Sequence, residues 1–399
     1  MFKAVRVLQT GCLIAALAGC ASAPVATGHT GAATLDATGG LSGSAAQQVA
    51  PRAPRAPSIE AGQSGGTTKG FTDAQGRLLP ELQAYADEVA TTRHIPPGHV
   101  KRLLAAARYN TTVVKLMTPS GRTIRRSWVT YRDRFVDPIR IKNGVAFWSE
   151  HRHDIDQAAI QYGIPPSILV AIIGVETLYG RYTGDFRVLD ALATLGFRHP
   201  DTARPERSQL FRDQLADLIE LDYKGELNAL TATGSYAGAV GMPQFMPGSI
   251  RRFAADGDHD GKIDLDGSTA DALASIGRFL RLHGWQPDLP VFAPVTLPAH
   301  AGRWADGGLT PKLNWRQLEQ GGAKVKAGYP IKLWSSAPLG VVDLVDEPRD
   351  TVEYRVATAN FFALTQYNRS YFYAASVADL AQALAQRMGY GCACVKPAN

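Results

Sequence analysis

Cysteine, long apolar runs and excess charge are all scarce in this sequence. Four cysteines in 399 residues are too few for a scaffold held together by disulfides. No apolar run approaches the roughly 20 residues that a membrane-spanning helix requires. The net charge is +6, and half of it lies in residues 1–70, where five basic residues accompany two acidic ones. The rest of the chain is nearly balanced in charge, so we expect no nucleic-acid partner.

Common catalytic signatures are missing as well. The sequence has no GxSxG elbow, no Walker loop and no HExxH zinc motif. Cys392 and Cys394 are too close in sequence for a disulfide to constrain much of the fold. Two cysteines alone do not make a metal site either. We assign them no function, and the sequence leaves their redox state open.

The first 20 residues have the pattern of a bacterial export signal. Lys3 and Arg6 precede a short apolar stretch that ends in Leu-Ala-Gly-Cys. This ending is similar to a lipobox, in which Cys20 would be lipidated and become the new N-terminus; the alternative is an ordinary signal peptide with a cysteine at its cleavage site. The resemblance to such lipoproteins associates an Asp after the cysteine with retention in the inner membrane. Because Ala21 stands there in this sequence, we expect a lipid anchor on the periplasmic face of the outer membrane.

Residues 21–70 predict a flexible tether. They consist mostly of Ala, Gly, Ser, Thr and Pro, and they contain no aromatic residue that could bury a core. About fifty such residues give an end-to-end distance on the order of 40 Å. The folded part of the protein could therefore act some way from its membrane.

Beyond residue 70 the apolar spacing predicts helices. It indicates a hairpin of two helices separated by Pro96 and Pro97, a single helix across residues 147–162, another over 208–222 and a last one over 374–388. Helices therefore dominate the predicted fold.

A short region late in the chain has a different texture. Between residues 286 and 356, Pro and Gly separate the short runs VFAPVTL, PIKLW, LGVVDLV and TVEYRVA. β-branched runs of this length are typical of strands, so we predict a small antiparallel sheet here. The fold class is α+β, predominantly α-helical.

Glu176 lies at the end of an apolar helical segment. Pro166 opens the segment, and residues 168–175 are all apolar or glycine. A helix that is apolar on every face is buried, and burial raises the pKa of a carboxyl group. Such an acid can donate a proton to a leaving-group oxygen near neutral pH. The alternative, which this segment alone does not exclude, is a structural glutamate paired with Arg181 or Arg187.

Two further motifs complete a recognisable set. Residues 234–249 read GSYAGAVGMPQFMPGS, in which Gln244 could orient a sugar and the rings of Tyr236 and Phe245 could stack on one; the alternative is a glycine-rich turn before a core helix. Residues 366–373 read QYNRSYFY. Together with GVET at the end of the apolar helix, these motifs resemble those of the membrane-bound lytic transglycosylase B family. The resemblance covers most of residues 75–390.

The resemblance implies a lysozyme-like fold and a role for each matching residue. Glu176 is the single catalytic acid and base, and the substrate-binding residues are Tyr131, Ser235, Gln244, Phe245, Tyr367, Asn368 and Tyr373. The chain departs from the family pattern at Phe279, where a tyrosine is usual, and at Gly248, where a serine is usual. The domains we predict are a signal segment (1–20), the tether (21–70), a helical domain (71–160), a lysozyme-like catalytic core (161–285), a small β domain (286–356) and a C-terminal helical segment that completes the groove (357–399).

Residues 256–271 predict a structural Ca²⁺ site. The spacing D-x-D-x-D-G matches an EF-hand loop, and the predicted ligands are Asp256, Asp258, Asp260, the backbone carbonyl of Lys262 and Asp271. Gly267 replaces the bidentate glutamate at position twelve, so another carboxylate must close the site. We predict Asp271 as this ligand, with Asp266 as the alternative ligand. The alternative is a solvated acidic turn.

The mechanism depends on how many carboxyl groups act. Ordinary glycosidases use two, whereas these motifs supply only Glu176. The resemblance implies cleavage of peptidoglycan between N-acetylmuramic acid and N-acetylglucosamine without water, with a 1,6-anhydro product. The alternatives are a lysozyme-type hydrolase that uses Asp185 or Asp190, and a non-catalytic peptidoglycan-binding lipoprotein. We expect a monomer with glycan strands as its partner and no organic cofactor.

Overall fold

Helices dominate the computed structural model, which describes residues 67–68, 70–119 and 125–390. The predicted signal segment, Cys20, most of the tether and both C-terminal cysteines lie outside the described residues. The fold class is α+β with helices in the majority, as predicted. The helices are α1 (Pro80–Arg93), α2 (Pro97–Ala106), α3 (Thr111–Met117), α4 (Trp128–Arg132), α5 (Pro138–Glu150), α6 (Arg152–Tyr162), α7 (Pro166–Thr177), α8 (Val188–Phe197), α9 (Pro205–Tyr223), α10 (Pro247–Phe253), α11 (Thr269–Leu282), α12 (Trp315–Gln320), α13 (Ala359–Tyr367) and α14 (Tyr371–Arg387).

The strands of the described residues pair two by two, all antiparallel. The pairs are β1 (Thr67–Thr68) with β2 (Tyr109–Asn110), β3 (Phe186–Arg187) with β4 (Thr233–Gly234), β5 (Val295–Thr296) with β6 (Lys324–Val325), and β7 (Gly340–Asp346) with β8 (Thr351–Ala357). The β7–β8 hairpin is the longest, with Gly340 opposite Ala357. The β3–β4 pair connects the chain just before α8 with the start of the glycine-rich loop.

The predicted N-terminal hairpin is confirmed by α1 and α2. Each helix begins at a proline, where the missing N–H has no helical partner to lose. α1 ends at His94, whose left-handed backbone (φ 55°) turns the chain toward α2. Leu82 and Leu103 from the two helices are fully buried in the same hydrophobic core.

The single helix predicted across residues 147–162 is wrong, because the chain breaks at His151. This residue ends α5 and begins α6. The apolar period continues through the break, so the sequence gives no warning of it. The two halves have different neighbours: both contact α7, but α5 also contacts α14, whereas α6 packs mainly against α11. The break lets each half follow its own neighbour.

The β-rich region also differs from the prediction. It forms two separate strand pairs, and the run PIKLW contains a 3₁₀ helix, Ile331–Leu333, in place of a strand. Pro330 has no N–H to donate to a strand ladder. Trp334 is buried edge-to-face against Trp315, and this contact anchors the segment in a second, smaller core.

Helix α7 lies at the centre of the larger core. Helices α5, α6, α11 and α14 all contact it, which explains why its sequence is apolar on every face. Eleven of its twelve residues are buried, and the exception is Glu176. The core therefore leaves one polar side chain of this helix with access to solvent.

No single helix of the described residues is both long and apolar enough to cross a membrane. Helices α6 and α7 meet the length and composition criteria only as a bent pair, with 115° between them.

Candidate active site

Glu176 is the next-to-last residue of α7, and the turn that follows it has an unusual backbone. Leu178, Tyr179 and Gly180 are all left-handed, with φ of 51°, 63° and 77°. For the two non-glycine residues this conformation is strained, and such strain persists only where the surrounding structure enforces it. The ring of Tyr179 folds back against α7, where a Cβ atom at Gly174 would lie 2.6 Å from it. The turn thus fixes the direction of the helix end that carries Glu176.

Burial controls the protonation of Glu176. Loss of water around the carboxyl raises its pKa from 4.5 to about 8, and a hydrogen bond from Tyr373 partly opposes this rise. The Tyr373 hydroxyl donates to Oε1 of Glu176 at 2.6 Å. At neutral pH the carboxyl is therefore mostly protonated, as the sequence predicts for a general acid.

Three tyrosines surround this carboxyl. Tyr373 lies in the first turn of α14 and is fully buried, and Tyr367 at the end of α13 stacks on it with ring centroids 6.2 Å apart. The Tyr367 hydroxyl donates to the carbonyl of Pro243 at 2.6 Å. Burial raises the pKa of all three phenols, and the nearby Glu176 raises it further for Tyr131, Tyr367 and Tyr373. The sequence motifs from three distant segments thus meet at one carboxyl.

Gln244 occupies a constrained position beside this cluster. Its backbone is left-handed (φ 51°), and its side-chain amide donates to the carbonyls of Thr183 and Gly241, both at 2.9 Å. These bonds use the nitrogen of the amide and leave Oε1 to accept from a ligand. Ser235 is partly exposed at the start of the same loop, and its Oγ accepts from the N–H of Ala239.

Phe245 does not offer a face to a sugar. It is 2% exposed and packs between Phe279 and Tyr367. Its backbone also pairs with Val240 on the other side of the loop, which turns the ring inward. This corrects the sequence-based prediction that the Phe245 ring stacks on a sugar. The ring instead supports the loop from the core. Asn368, just after α13, is only 6% exposed.

Two positioning residues escaped the sequence analysis. Ser370 caps α14 by accepting the N–H of Tyr373 at 3.3 Å, and this serine within QYNRSYFY was a readable capping signal. Thr177 donates to the carbonyl of Met242 at 3.2 Å and so joins the end of α7 to the glycine-rich loop. No sequence pattern pairs residues that far apart.

The two aspartates considered as second carboxylates have other surroundings. Asp190 accepts from the N–H of Arg108 at 2.7 Å and pairs with Arg187 at 2.5 Å. Asp185 is exposed, and among the described residues no carboxylate perturbs the pKa of Glu176. The pairing of Arg187 with Asp190 also removes it as a partner for Glu176.

The acidic loop after α10 is arranged as the EF-hand spacing predicts. Carboxylate oxygens of Asp256, Asp258 and Asp260 all lie within 4.8 Å of one another. Oδ1 of Asp256 is buried without a hydrogen-bond partner. Three converging carboxylates with an unsatisfied buried oxygen fit a hard cation such as Ca²⁺.

Asp271 has a different place in this loop. It lies in the first turn of α11 and is 1% exposed. Its two oxygens accept the N–H groups of Gly257 and Asp264, both at 2.7 Å. Asp271 therefore ties the loop together from behind, while the backbone N–H of Lys262 donates to Asp260 at 2.8 Å.

One known protein family matches this chain over most of its length. The family model described as the transglycosylase SLT domain matches residues 79–382. The chain belongs to this family. Membrane-bound lytic murein transglycosylase B of Escherichia coli (strain K12) is 31% identical over 318 residues, which cover 77% of this chain and 83% of that protein.

Solved structures agree with the assignment. Soluble lytic transglycosylase SltB1 from Pseudomonas aeruginosa superposes with a TM-score of 0.68 at 33% identity, covering 78% of this chain and all of that one. The Escherichia coli lytic transglycosylase Slt35 in complex with calcium gives 0.66 at 31% identity, with coverage of 77% and 93%. The chain is a lytic transglycosylase with a lysozyme-like fold that acts on peptidoglycan. This conclusion excludes the non-catalytic binding protein.

One departure of this transglycosylase from the family pattern has a steric cause. The backbone N–H of Gly248 donates to Oε1 of Gln214 at 2.8 Å, and a Cβ atom here would lie 2.6 Å from Oδ2 of Asp217. Asp217 is held by ion pairs to Arg93 and Arg251. The fixed carboxylate leaves no room for the usual serine.

Proposed function

We propose that this lytic transglycosylase cleaves the β-1,4 bond between N-acetylmuramic acid and N-acetylglucosamine without consuming water, with Glu176 as the single acid and base. The observation that carries the proposal is one half-buried carboxyl whose pKa is raised to about 8 by loss of water, with no carboxylate among the described residues that perturbs it. Hydrolysis by either common route needs a second carboxyl about 5 Å or 6.5–9.5 Å away. A substrate that supplies its own nucleophiles does not need one.

In the first step Glu176 acts as an acid. Because Tyr373 donates to Oε1, the acidic proton belongs on Oε2, from which it passes to the glycosidic oxygen. The bond to C1 of the muramoyl sugar breaks, and the acetamido oxygen of the same sugar bonds to C1. The N-acetylglucosamine end leaves with the proton.

In the second step the ionised Glu176 acts as a base. It removes the proton from the C6 hydroxyl, O6 bonds to C1, and the acetamido oxygen is released. The product is a 1,6-anhydromuramoyl end, and Glu176 is protonated again. The Tyr373 hydrogen bond favours the carboxylate and so keeps both protonation states accessible.

The groove residues hold the sugar for this chemistry. Oε1 of Gln244 and the hydroxyl of Ser235 are the polar contacts for the N-acetyl group. Tyr131, Tyr367 and Asn368 line the groove from the opposite side, and Tyr373 sets the state of the acid. Because all of them except Ser235 and Gln244 are almost fully buried, substrate contact occurs through the edges of these side chains.

The finer assignments on location and metal are also part of this proposal. Asp256, Asp258, Asp260 and the Lys262 carbonyl would hold Ca²⁺, and Asp271, predicted from sequence as the closing ligand, would support the loop from behind through its two backbone hydrogen bonds; the calcium complex of Slt35 supports a cation here. Cys20 would carry the lipid that anchors a monomeric enzyme to the outer membrane, facing the periplasm. The membrane-bound relative from Escherichia coli supports this location. The domain boundaries predicted from sequence belong to the same proposal.

Mass spectrometry of digested sacculi tests the reaction. Wild-type enzyme is expected to release 1,6-anhydro muropeptides, and Glu176→Gln none. Glu226→Gln serves as the matched control, since Glu226 is exposed. Reducing-end products, one water heavier, would instead support the hydrolase.

A further inference from the structure

Exposed apolar side chains concentrate in one short stretch of the β-rich region. Tyr329, Ile331 and Leu333 are 53%, 37% and 49% exposed, and all three lie within five residues. Elsewhere in the described residues the large exposed apolar side chains are scattered. Single exposed apolar residues are normal, but a cluster marks an interaction site.

The same stretch is basic. Residues 324–333, here called the basic segment, contain Lys324, Lys326 and Lys332 and no acidic residue. All three lysines are exposed, and none forms an ion pair within the described residues. Their charge of +3 equals the whole net charge of residues 71–399, which hold 37 basic and 34 acidic side chains.

The basic segment stands on a rigid base. Trp334, directly after it, is 1% exposed and packs edge-to-face on Trp315 with ring centroids 5.0 Å apart. At its other end, β6 pairs with β5, and the N–H of Lys326 donates to the carbonyl of Pro294 at 2.9 Å. The two ends of the basic segment are thus fixed by the fold, so little backbone entropy is lost when its apolar side chains bind a surface.

We propose that the basic segment is a second membrane contact, which docks on an anionic phospholipid surface. Tyr329, Ile331 and Leu333 would enter the interfacial region of the bilayer, and the lysines would reach the phosphate groups with their long stems. A tyrosine with aliphatic neighbours and flanking lysines is the composition that this interface favours.

Other occupants fit the basic segment less well. A glycan would stack on Tyr329 but would gain little from Ile331 and Leu333. A protein partner would have to cover three lysines, a residue type that is depleted at the buried cores of protein interfaces. The charge and the aliphatic tips together favour lipid.

This contact is independent of the lipid anchor. If Cys20 is lipidated, the tether alone would leave the orientation of the enzyme free, and the basic segment would define which face points to the membrane. Because weak membrane signals add, a second one also strengthens binding.

Photo-crosslinking on the full chain tests the proposal. The crosslinking residue benzoylphenylalanine replaces Leu333 in one protein and Leu282, which is 62% exposed on α11, in the control. Each protein is mixed with vesicles of one part phosphatidylglycerol to three parts phosphatidylethanolamine, or with phosphatidylcholine alone. We expect about tenfold more lipid adduct at position 333 than at 282, only in the anionic vesicles.

Removing the lysines tests the electrostatic part. Joint replacement Lys324→Gln, Lys326→Gln and Lys332→Gln should lower the adduct at position 333 about tenfold, as should about 1 M salt. The control pair Lys115→Gln and Lys142→Gln, both exposed, should not. Equal adducts at positions 333 and 282 would overturn the proposal, and so would equal labelling in neutral and anionic vesicles.

Discussion

Glu176 and Asp258 carry the same functional group in opposite surroundings. The Glu176 carboxyl lies among buried tyrosines with one hydrogen-bond donor, and burial raises its pKa to about 8. Asp258 is exposed among other carboxylates, and the Ser268 hydroxyl and the N–H of Asp260 lower its pKa. In the proposed function the first carboxyl donates a proton and the second binds a cation. Local water access and the count of N–H and O–H donors decide between these roles, not the residue type.

The largest effect is expected from replacing Glu176 itself, which removes the protonated carboxyl of this pair. Glu176→Gln keeps the shape of the side chain but removes the proton that is transferred, so turnover should fall about 10³-fold or more. The rate of sacculus solubilisation measures this. A variant that kept more than a tenth of the wild-type rate would exclude Glu176 as the acid.

The same variant should be more stable than the wild type at high pH. The folded-state pKa of Glu176 lies above the ordinary value of 4.5, so ionisation opposes folding. Wild-type stability should fall as pH rises from about 4.5 to about 8, and Glu176→Gln should escape this loss, by on the order of a few kcal/mol. Thermal melts across this pH range test the sign, and Glu226→Gln should follow the wild type. If the difference in melting temperature between Glu176→Gln and the wild type were the same at pH 4 and at pH 9, the raised pKa would be contradicted.

Removing the hydrogen bond from Tyr373 tests how far this one donor lowers the pKa of Glu176. Tyr373→Phe deletes the donor that lowers the pKa of Glu176, so this pKa should rise further. The alkaline limb of the pH profile of kcat/KM, near pH 8 in the wild type, should move to higher pH. The acid step, which forms the carboxylate that has lost its hydrogen bond, should slow about tenfold. Tyr354→Phe, a partly buried tyrosine of β8 in the smaller core, is the control and should leave the limb in place.

The smallest effect is expected at the cation loop. Calcium at tenfold over its dissociation constant stabilises a protein by about 1.4 kcal/mol. Asp258→Asn should lower the melting temperature in calcium to that of wild type in EDTA and abolish the response to EDTA. Asp133→Asn, at an exposed aspartate, should keep the response. If wild-type melting were indifferent to EDTA, the metal assignment would be lost.

Local sequence patterns were sufficient to predict the surroundings of both Glu176 and Asp258. Eight apolar or glycine residues before Glu176 predicted a buried helix and a raised pKa, and the D-x-D-x-D-G spacing predicted three converging carboxylates. Both signals lie within about a dozen residues, so the information needed is contiguous.

What the sequence could not supply depends on distant partners. The donor to Glu176 is 197 residues away. The inward position of Phe245 depends on Phe279 and Tyr367, and the break at His151 depends on two different helices packing beside α5 and α6. Spacing along the chain carries no record of such contacts, which only the family resemblance could anticipate in part.

The late position of α14 has a consequence for the order of synthesis. This helix packs on α7 and supplies Tyr373, yet it ends only at Arg387. A nascent chain that has not yet released α14 can already form α7, but Glu176 then lacks both the Tyr373 hydroxyl and the side chains of α14 that shield it from water. If Glu176 is the acid, its carboxyl gains the Tyr373 donor, 197 residues further along the chain, only after α14 has been synthesised and has packed on α7.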